Sequence, residues 1–163
     1  MRSFSTRQTT RLLSLALLIL ALGFVQAQAK SDFSGTWKLD TSKSDFGPIP
    51  APDTMTETIT HADPSLKANV ATTGGPQGDM KYDLSYTTDG KECVNKVGDN
   101  EFKSTLTWDG DDLVVNTKGN FGGTDFTSKD RWTLSSDGKT LTVNRHLSSA
   151  MGEADVKAVF AKQ

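Results

Sequence analysis

The side chains able to do chemistry are few in this chain, and their spacing narrows the choice further. His61 and His146 are the two histidines among 163 residues. Neither stands at metal-ligand spacing from a further histidine or cysteine. His61, with Asp63 two residues on, is where a lone haem or metal ligand would have to sit, without companions. Cys93 is the single cysteine; it excludes an internal disulfide and reads as a small buried apolar side chain. There is no Gly-x-Ser-x-Gly elbow and no phosphate-binding glycine loop. Asp109, Asp111 and Asp112 mimic a calcium loop, but a hairpin explains Asp109-Gly110 and acidic turns are usually solvated. Glu57 and Asp130 would suit acid–base work as a carboxylate pair, at a separation the sequence leaves open. The chain assigns no catalytic residue, metal or cofactor, and reads as a non-enzyme.

One charged residue stands out by its company. Arg145 alternates with Val143 and Leu147 on a face that is otherwise apolar. If Asp137-Gly138 closes a two-residue hairpin, pairing steps outward from Ser136 and Lys139. Leu134 then faces Leu141, Trp132 faces Val143, and Asp130 faces Arg145 as a directly opposed cross-strand pair. Two roles follow for Arg145. As a structural lock it is satisfied by Asp130 and stacks on an indole such as Trp37. As an anchor, its planar guanidinium holds a ligand carboxylate or another anion.

The elements that must position these residues are strands. Met55, Ile59 and His61 alternate with Thr54, Thr56, Thr58 and Thr60. Tyr82, Leu84 and Tyr86 alternate with Lys81, Asp83 and Ser85, and Leu106 and Trp108 with Thr105 and Thr107. Similar period-two runs carry Leu113 and Val115, Phe126 and Trp132, Leu141 and Val143, and Val156 and Phe160. Such alternation marks strands with one buried face. Asp89-Gly90, Asp109-Gly110 and Asp137-Gly138 punctuate the runs as hairpin turns, with looser turns at Gly74 to Gly78, Gly98 to Asn100, Asn120 to Gly123 and Ala150 to Gly152. From Asp40 to Pro52 the prolines 48, 50 and 52 exclude a long helix. That segment reads as an extended lid or plug, with Phe46 and Ile49 available to cap an apolar opening.

The expected fold is all-β, an antiparallel meander that closes into a barrel of about 8–10 strands and so removes exposed edges. An outer-membrane barrel has the same alternation with the apolar face outward. Glu57, Asn95, Ser104, Ser128, Asp130 and Arg145 share the apolar face, which lipid would penalise, and aromatic girdles are absent.

The ends and the charge set the compartment. Arg2, Arg7 and Arg11 lead into an apolar run from Leu12 to Val25, and Ala27-Gln28-Ala29 has the small residues a signal peptidase reads. The run is shorter than the ~20 residues that cross a bilayer, so no permanent membrane anchor is expected. Residues 1–29 are assigned as a signal peptide cleaved near Ala29, residues 30–163 as one folded domain, and the destination as secreted or periplasmic. Without the leader's three arginines, 18 basic residues fall to 15 against 20 acidic, a net charge of −5. A mildly acidic domain argues against a nucleic-acid partner.

The opening Phe33-Ser34-Gly35-Thr36-Trp37-Lys38-Leu39 resembles that of the calycins, the group containing lipocalins and fatty-acid-binding proteins. Leu106-Thr107-Trp108-Asp109-Gly110-Asp111-Asp112-Leu113-Val114-Val115 is similar to a hairpin of the fatty-acid-binding proteins. A further likeness is to small secreted bacterial proteins sometimes called lipocalin-like. Those share the Gly-Thr-Trp-Lys-Leu opening, an analogue of Lys43 to Pro48, and the Ser136 to Leu141 turn. The resemblance implies a calycin-like barrel over residues 30–163. In lipocalins an arginine commonly covers the Gly-x-Trp indole, a role that Arg145 would fill for Trp37. The Pro-rich segment stands where fatty-acid-binding proteins carry a helix-turn-helix lid. Their Arg-x-Tyr carboxylate site has no match in Val156 to Phe160, and no residues remain after Phe160 for a lipocalin's terminal helix.

The expected function is to bind a small hydrophobic or amphipathic ligand inside the barrel. Tyr82, Tyr86, Trp108, Phe126 and Trp132 would line the cavity, and Arg145 with Asp130 would supply its polar contact. The alternative is a structural or interaction module of the cell envelope with a packed interior and no ligand. A calycin-type enzyme would instead require several titratable groups converging on one pocket.

Overall fold

The computed structural model describes residues 30–75 and 78–163. The assigned signal peptide, and Pro76 and Gln77 of the glycine-rich turn, lie outside the described residues. Ten strands follow one another: β1 (Gly35–Leu39), β2 (Thr54–Ala62), β3 (Ser65–Thr73), β4 (Met80–Thr87), β5 (Glu92–Val97), β6 (Asn100–Asp109), β7 (Asp112–Phe121), β8 (Thr124–Leu134), β9 (Thr140–Ser149) and β10 (Gly152–Lys162). Neighbours in sequence pair antiparallel except β4 with β5, and β1 also pairs with β10, giving the order β4-β3-β2-β1-β10-β9-β8-β7-β6-β5. The fold is a nearly closed, calycin-like antiparallel barrel.

The apolar face of the alternation points inward. Ile59, Leu66, Ala68, Val70, Leu106, Leu113, Val115, Leu141 and Phe160 are buried, whereas Thr58, Thr60, Lys67, Asn69, Lys81 and Asp83 on the same strands are exposed. A lipid-facing barrel needs the reverse arrangement. Glu57, Asn95, Ser104, Ser128 and Asp130 are the buried polar side chains of the strands.

The pairing between β8 and β9 follows the register set by Asp137-Gly138: Leu134 faces Leu141, Trp132 faces Val143, and Asp130 faces Arg145. The turn itself is longer than a two-residue hairpin. It closes at Ser135, whose N–H donates to Thr140 O at 2.9 Å, and a turn lengthened symmetrically keeps the register.

The expected hairpin at Asp89-Gly90 does not form. β4 and β5 carry no ladder between them and are the two edges of the sheet. The turn bonds elsewhere, Thr88 N–H to Pro64 O at 2.8 Å and Gly90 N–H to Leu106 O at 2.9 Å. Side chains bridge the seam. Asn95 accepts from the Ser85 N–H at 2.7 Å and donates to Ser85 O at 3.1 Å. Cys93, expected fully buried, is half-buried and its Sγ accepts from the Thr87 N–H at 3.2 Å. An amide presents the same donor and acceptor as a peptide, so Asn95 substitutes for a missing rung. Asn95→Ala leaves both Ser85 groups unpaired and should cost about 1–3 kcal/mol. It should also speed hydrogen exchange at the Ser85 amide; unchanged exchange would show that the seam does not depend on Asn95.

One end of the barrel is solid. Phe33, Trp37, Leu66, Leu106, Leu113, Leu141 and Phe160 are all almost fully buried. Phe33 plugs this end, with its ring 5.9 Å from His61, 6.0 Å from Trp108 and 5.9 Å from Trp132. The Trp37 indole N–H donates to Phe33 O at 2.9 Å. Lys162, not Arg145, covers this indole, with Nζ 5.1 Å from the ring centroid. The register explains the correction: Trp37 pairs with Lys162 across β1 and β10, and Arg145 is committed on β9.

At the other end β1 is too short to cover the whole of β10, and residues 40–49 take its place. Asp45 and Lys157 exchange backbone bonds at 2.8 and 2.7 Å, and Ser44 Oγ accepts from Val159 N–H at 2.9 Å. The segment is thus strapped to the barrel wall. Phe46 packs on the core, and Pro48 and Ile49 reach the rim of the opening.

Candidate ligand-binding site

Between the plugged end and the rim lies a cavity of about 210 Å³. Its apolar wall includes Met55, Val70, Leu84, Phe102, Phe126, Trp132 and Leu147. It adjoins a vestibule of about 470 Å³ at the open end, lined by Pro48, Ile49, Phe121, Met151 and Ala154, among others. Phe102, Phe126, Arg145 and Leu147 border both spaces, so the vestibule is the way in. Gly119 makes room for the Phe102 ring: a Cβ there would fall 2.5 Å from Phe102 Cδ1.

The polar groups gather at the waist. Arg145 Nε donates to both oxygens of Asp130 at 2.9 Å, and Nη2 donates to Asp130 Oδ2 at 2.5 Å. The Asp130 side chain is 5 % exposed while that of Arg145 is 44 % exposed. Arg145 lies among cavity-wall residues, so much of its free surface faces the void and the vestibule rather than packed atoms. Asp130 holds its guanidinium firmly protonated.

Glu57 enters the waist from β2, opposite Val70 of β3 and Trp37 of β1. It is buried and has no hydrogen-bond or ion-pair partner within 4 Å among the described residues. Burial raises its pKa from 4.5 to about 7, against the pull of Arg145 and with the help of Asp130. Tyr82 and Tyr86 of β4 bring two hydroxyls that make no hydrogen bond to the described protein. Burial raises both phenol pKa values. The Trp132 indole N–H is buried without a partner as well.

Six of the seven residues assigned from sequence therefore border one space: Arg145, Asp130, Tyr82, Tyr86, Phe126 and Trp132. Trp108 does not. It sits at the plugged end, its indole N–H donating to Asp63 Oδ1 at 3.1 Å and its face under Lys30 Nζ at 5.2 Å. Alternation gave its face correctly, but pairing with Leu113 at the β6–β7 turn puts it beyond the cavity. Glu57, weighed as an acid–base partner of Asp130, belongs to the site through its lack of partners. Phe102, Met55, Leu84 and Leu147 line the cavity too, and share the inward parity that identifies the aromatics.

The remaining candidates are structural. His61 is packed between Phe33 and Trp108, with centroids 5.9 and 5.8 Å away, and its Nδ1 accepts the Phe33 N–H at 3.3 Å. No group of three or more metal-ligating side chains occurs among the described residues. His146 is on the outer wall with Asp155 at 2.8 Å. Arg131 holds the acidic turn, donating to Asp112 at 2.7 Å and to Asp109.

No protein-family model matches the sequence, and no curated protein matches it. Solved structures match the fold. The ileal bile acid-binding protein of zebrafish, solved with cholic acid, is 18 % identical, with a TM-score of 0.57 over 82 % of this chain and 100 % of that one. A secretory abundant heat soluble protein of Ramazzottius varieornatus is 15 % identical, with a TM-score of 0.56 over 83 % of this chain and 97 % of that one. The fatty-acid-binding protein of Schistosoma mansoni, solved with arachidonic acid, is 14 % identical, with a TM-score of 0.52 over 80 % and 96 %. At such identities the likeness is one of fold.

Proposed function

We propose that this protein is exported, to the periplasm or beyond the cell, and carries or sequesters one small apolar or amphipathic molecule inside its barrel. The observation that carries the reading is the combination of void and waist. An apolar chamber opens through an apolar vestibule and holds unsatisfied polar groups at its inner end. Ligand sites share this composition, at ~300–1,000 Å³, with a few convergent polar groups. The chamber and vestibule together fall in that range. Similarly folded proteins solved with cholic and arachidonic acids support the reading. The leader-like residues 1–29 support export.

A packed envelope module working through its outer wall would need an exposed apolar patch there. Among the described residues, the large apolar side chains that are exposed are Val94, Phe121 and Met151, and the last two border the vestibule. Binding rather than catalysis is favoured because the waist presents no nucleophile beside a base.

A neutral solvatochromic dye, Nile red, tests the proposal. It should bind with one-to-one stoichiometry and a blue-shifted emission. Leu147→Trp, which fills the chamber from β9, should weaken binding by about tenfold or more. Dye binding unaffected by a folded Leu147→Trp variant would place the dye on the outer surface and remove the proposal's support.

A further inference from the structure

We propose that the cavity selects an amphiphile whose polar end is an amine, with Glu57 as its counter-ion. The inference rests on the ligand-binding reading above and departs from the acids found in the similarly folded zebrafish and Schistosoma mansoni proteins.

The charge inventory at the waist leads to it. From the strands that surround the cavity, the groups facing Glu57 are Arg145 of β9, Asp130 of β8, and Tyr82 and Tyr86 of β4. The strands flanking Glu57 add only Trp37 and Val70 at its level. Two carboxyl groups therefore share one guanidinium. Asp130 already engages Arg145 through Nε and Nη2 in the forked geometry that a ligand carboxylate would use. An incoming carboxylate would have to share Arg145 with Asp130 and would bring a third negative charge toward Glu57. Like charges in a site poor in water repel strongly.

Glu57 offers the opposite. It is 8 % exposed and borders the cavity, and it has no partner among the described residues. An ammonium beside it gives a waist of two carboxylates and two cations. The Tyr82 and Tyr86 oxygens stand on the same cavity wall as acceptors for its remaining N–H groups. The hydrocarbon body then runs past Phe102, Phe126 and Leu147 toward Ile49 at the rim. Because Glu57 titrates at about 7 in the empty cavity, an ammonium that draws it into the ionised form releases about half a proton at pH 7.

Isothermal titration of the exported protein with dodecylamine, dodecanol and dodecanoate tests this directly. At pH 8 dodecylamine should bind about tenfold or more tighter than dodecanoate. Glu57→Gln should abolish that preference. In the unaltered protein the ratio of amine to alcohol affinity should fall by about tenfold between pH 8 and pH 5, because Glu57 takes up a proton while the amine stays cationic. Equal or tighter binding of dodecanoate would overturn the proposal and leave the binding reading standing. So would an amine preference that persists in Glu57→Gln or ignores pH. Failure of all three to bind would overturn the binding reading itself, and this inference with it.

Discussion

Glu57→Gln should raise the stability of the protein at pH 8 by about 1–3 kcal/mol and leave it unchanged at pH 4. The ordinary pKa of this carboxyl is 4.5, which the unfolded chain restores, and in the barrel it is about 7. Between those values the folded protein keeps a proton that the unfolded chain has released. Stability therefore falls as pH rises from about 4.5 to about 7, and stays at the lower level above that. Glutamine does not ionise, so the decline disappears. Some water in the cavity eases the cost of the charge, which holds the gain below the full value of the shift. Urea unfolding at pH 4, 6 and 8 would measure it. Parallel pH profiles for the two proteins would mean that Glu57 is already compensated, and that the waist holds no surplus carboxylate.

Arg145→Met should have the opposite sign, costing about 2–4 kcal/mol at pH 8. It strands Asp130, whose side chain is 5 % exposed, and removes the guanidinium that faces Glu57 from the cavity wall. The cost stays moderate because Arg145 itself faces the cavity and is partly hydrated. Adding Asp130→Leu to Arg145→Met should recover most of the loss, since a buried ion pair is expensive to break and cheap to replace whole. The loss should also shrink at pH 5, where Glu57 is protonated. An Arg145→Met variant as stable as the parent would show that the pair locks nothing, leaving Arg145 free to serve a ligand.

The two roles weighed for Arg145 are thus unequal in the structure. Its partner was legible because β8 and β9 join through a short turn, and counting outward from Asp137-Gly138 placed Asp130 opposite it. The turn proved longer by symmetric residues, which left the count intact. Neighbouring strands with strict alternation reveal the inward face in the same way, and Ile59, Leu106, Leu141 and Phe160 all lie where their parity put them.

What alternation does not carry is height along the barrel axis. Strands are tilted and staggered, so two inward residues on different strands share a level only if the intervening pairings are known. Trp108 shows the consequence: right face, wrong end. Glu57 shows the converse, since its level beside the Arg145 pair depends on the chain of pairings through β1 and β10. The seam was hidden for a different reason. Asp89-Gly90 has the local chemistry of a hairpin, yet the turn's N–H groups bond to Pro64 and Leu106 instead. Asn95 and Cys93 span the space left between the edges. Lys162 over Trp37 is likewise a product of closing the sheet on itself, which no local pattern records.

Native mass spectrometry of the exported protein, after incubation with dodecylamine, dodecanol and dodecanoate together, tests the ligand-binding barrel most directly. The structure predicts a single non-covalent adduct per chain that vanishes on denaturation and is lost in Leu147→Trp. An apo mass alone in the presence of all three, from protein shown to be folded, would contradict it and leave the cavity a void without a guest.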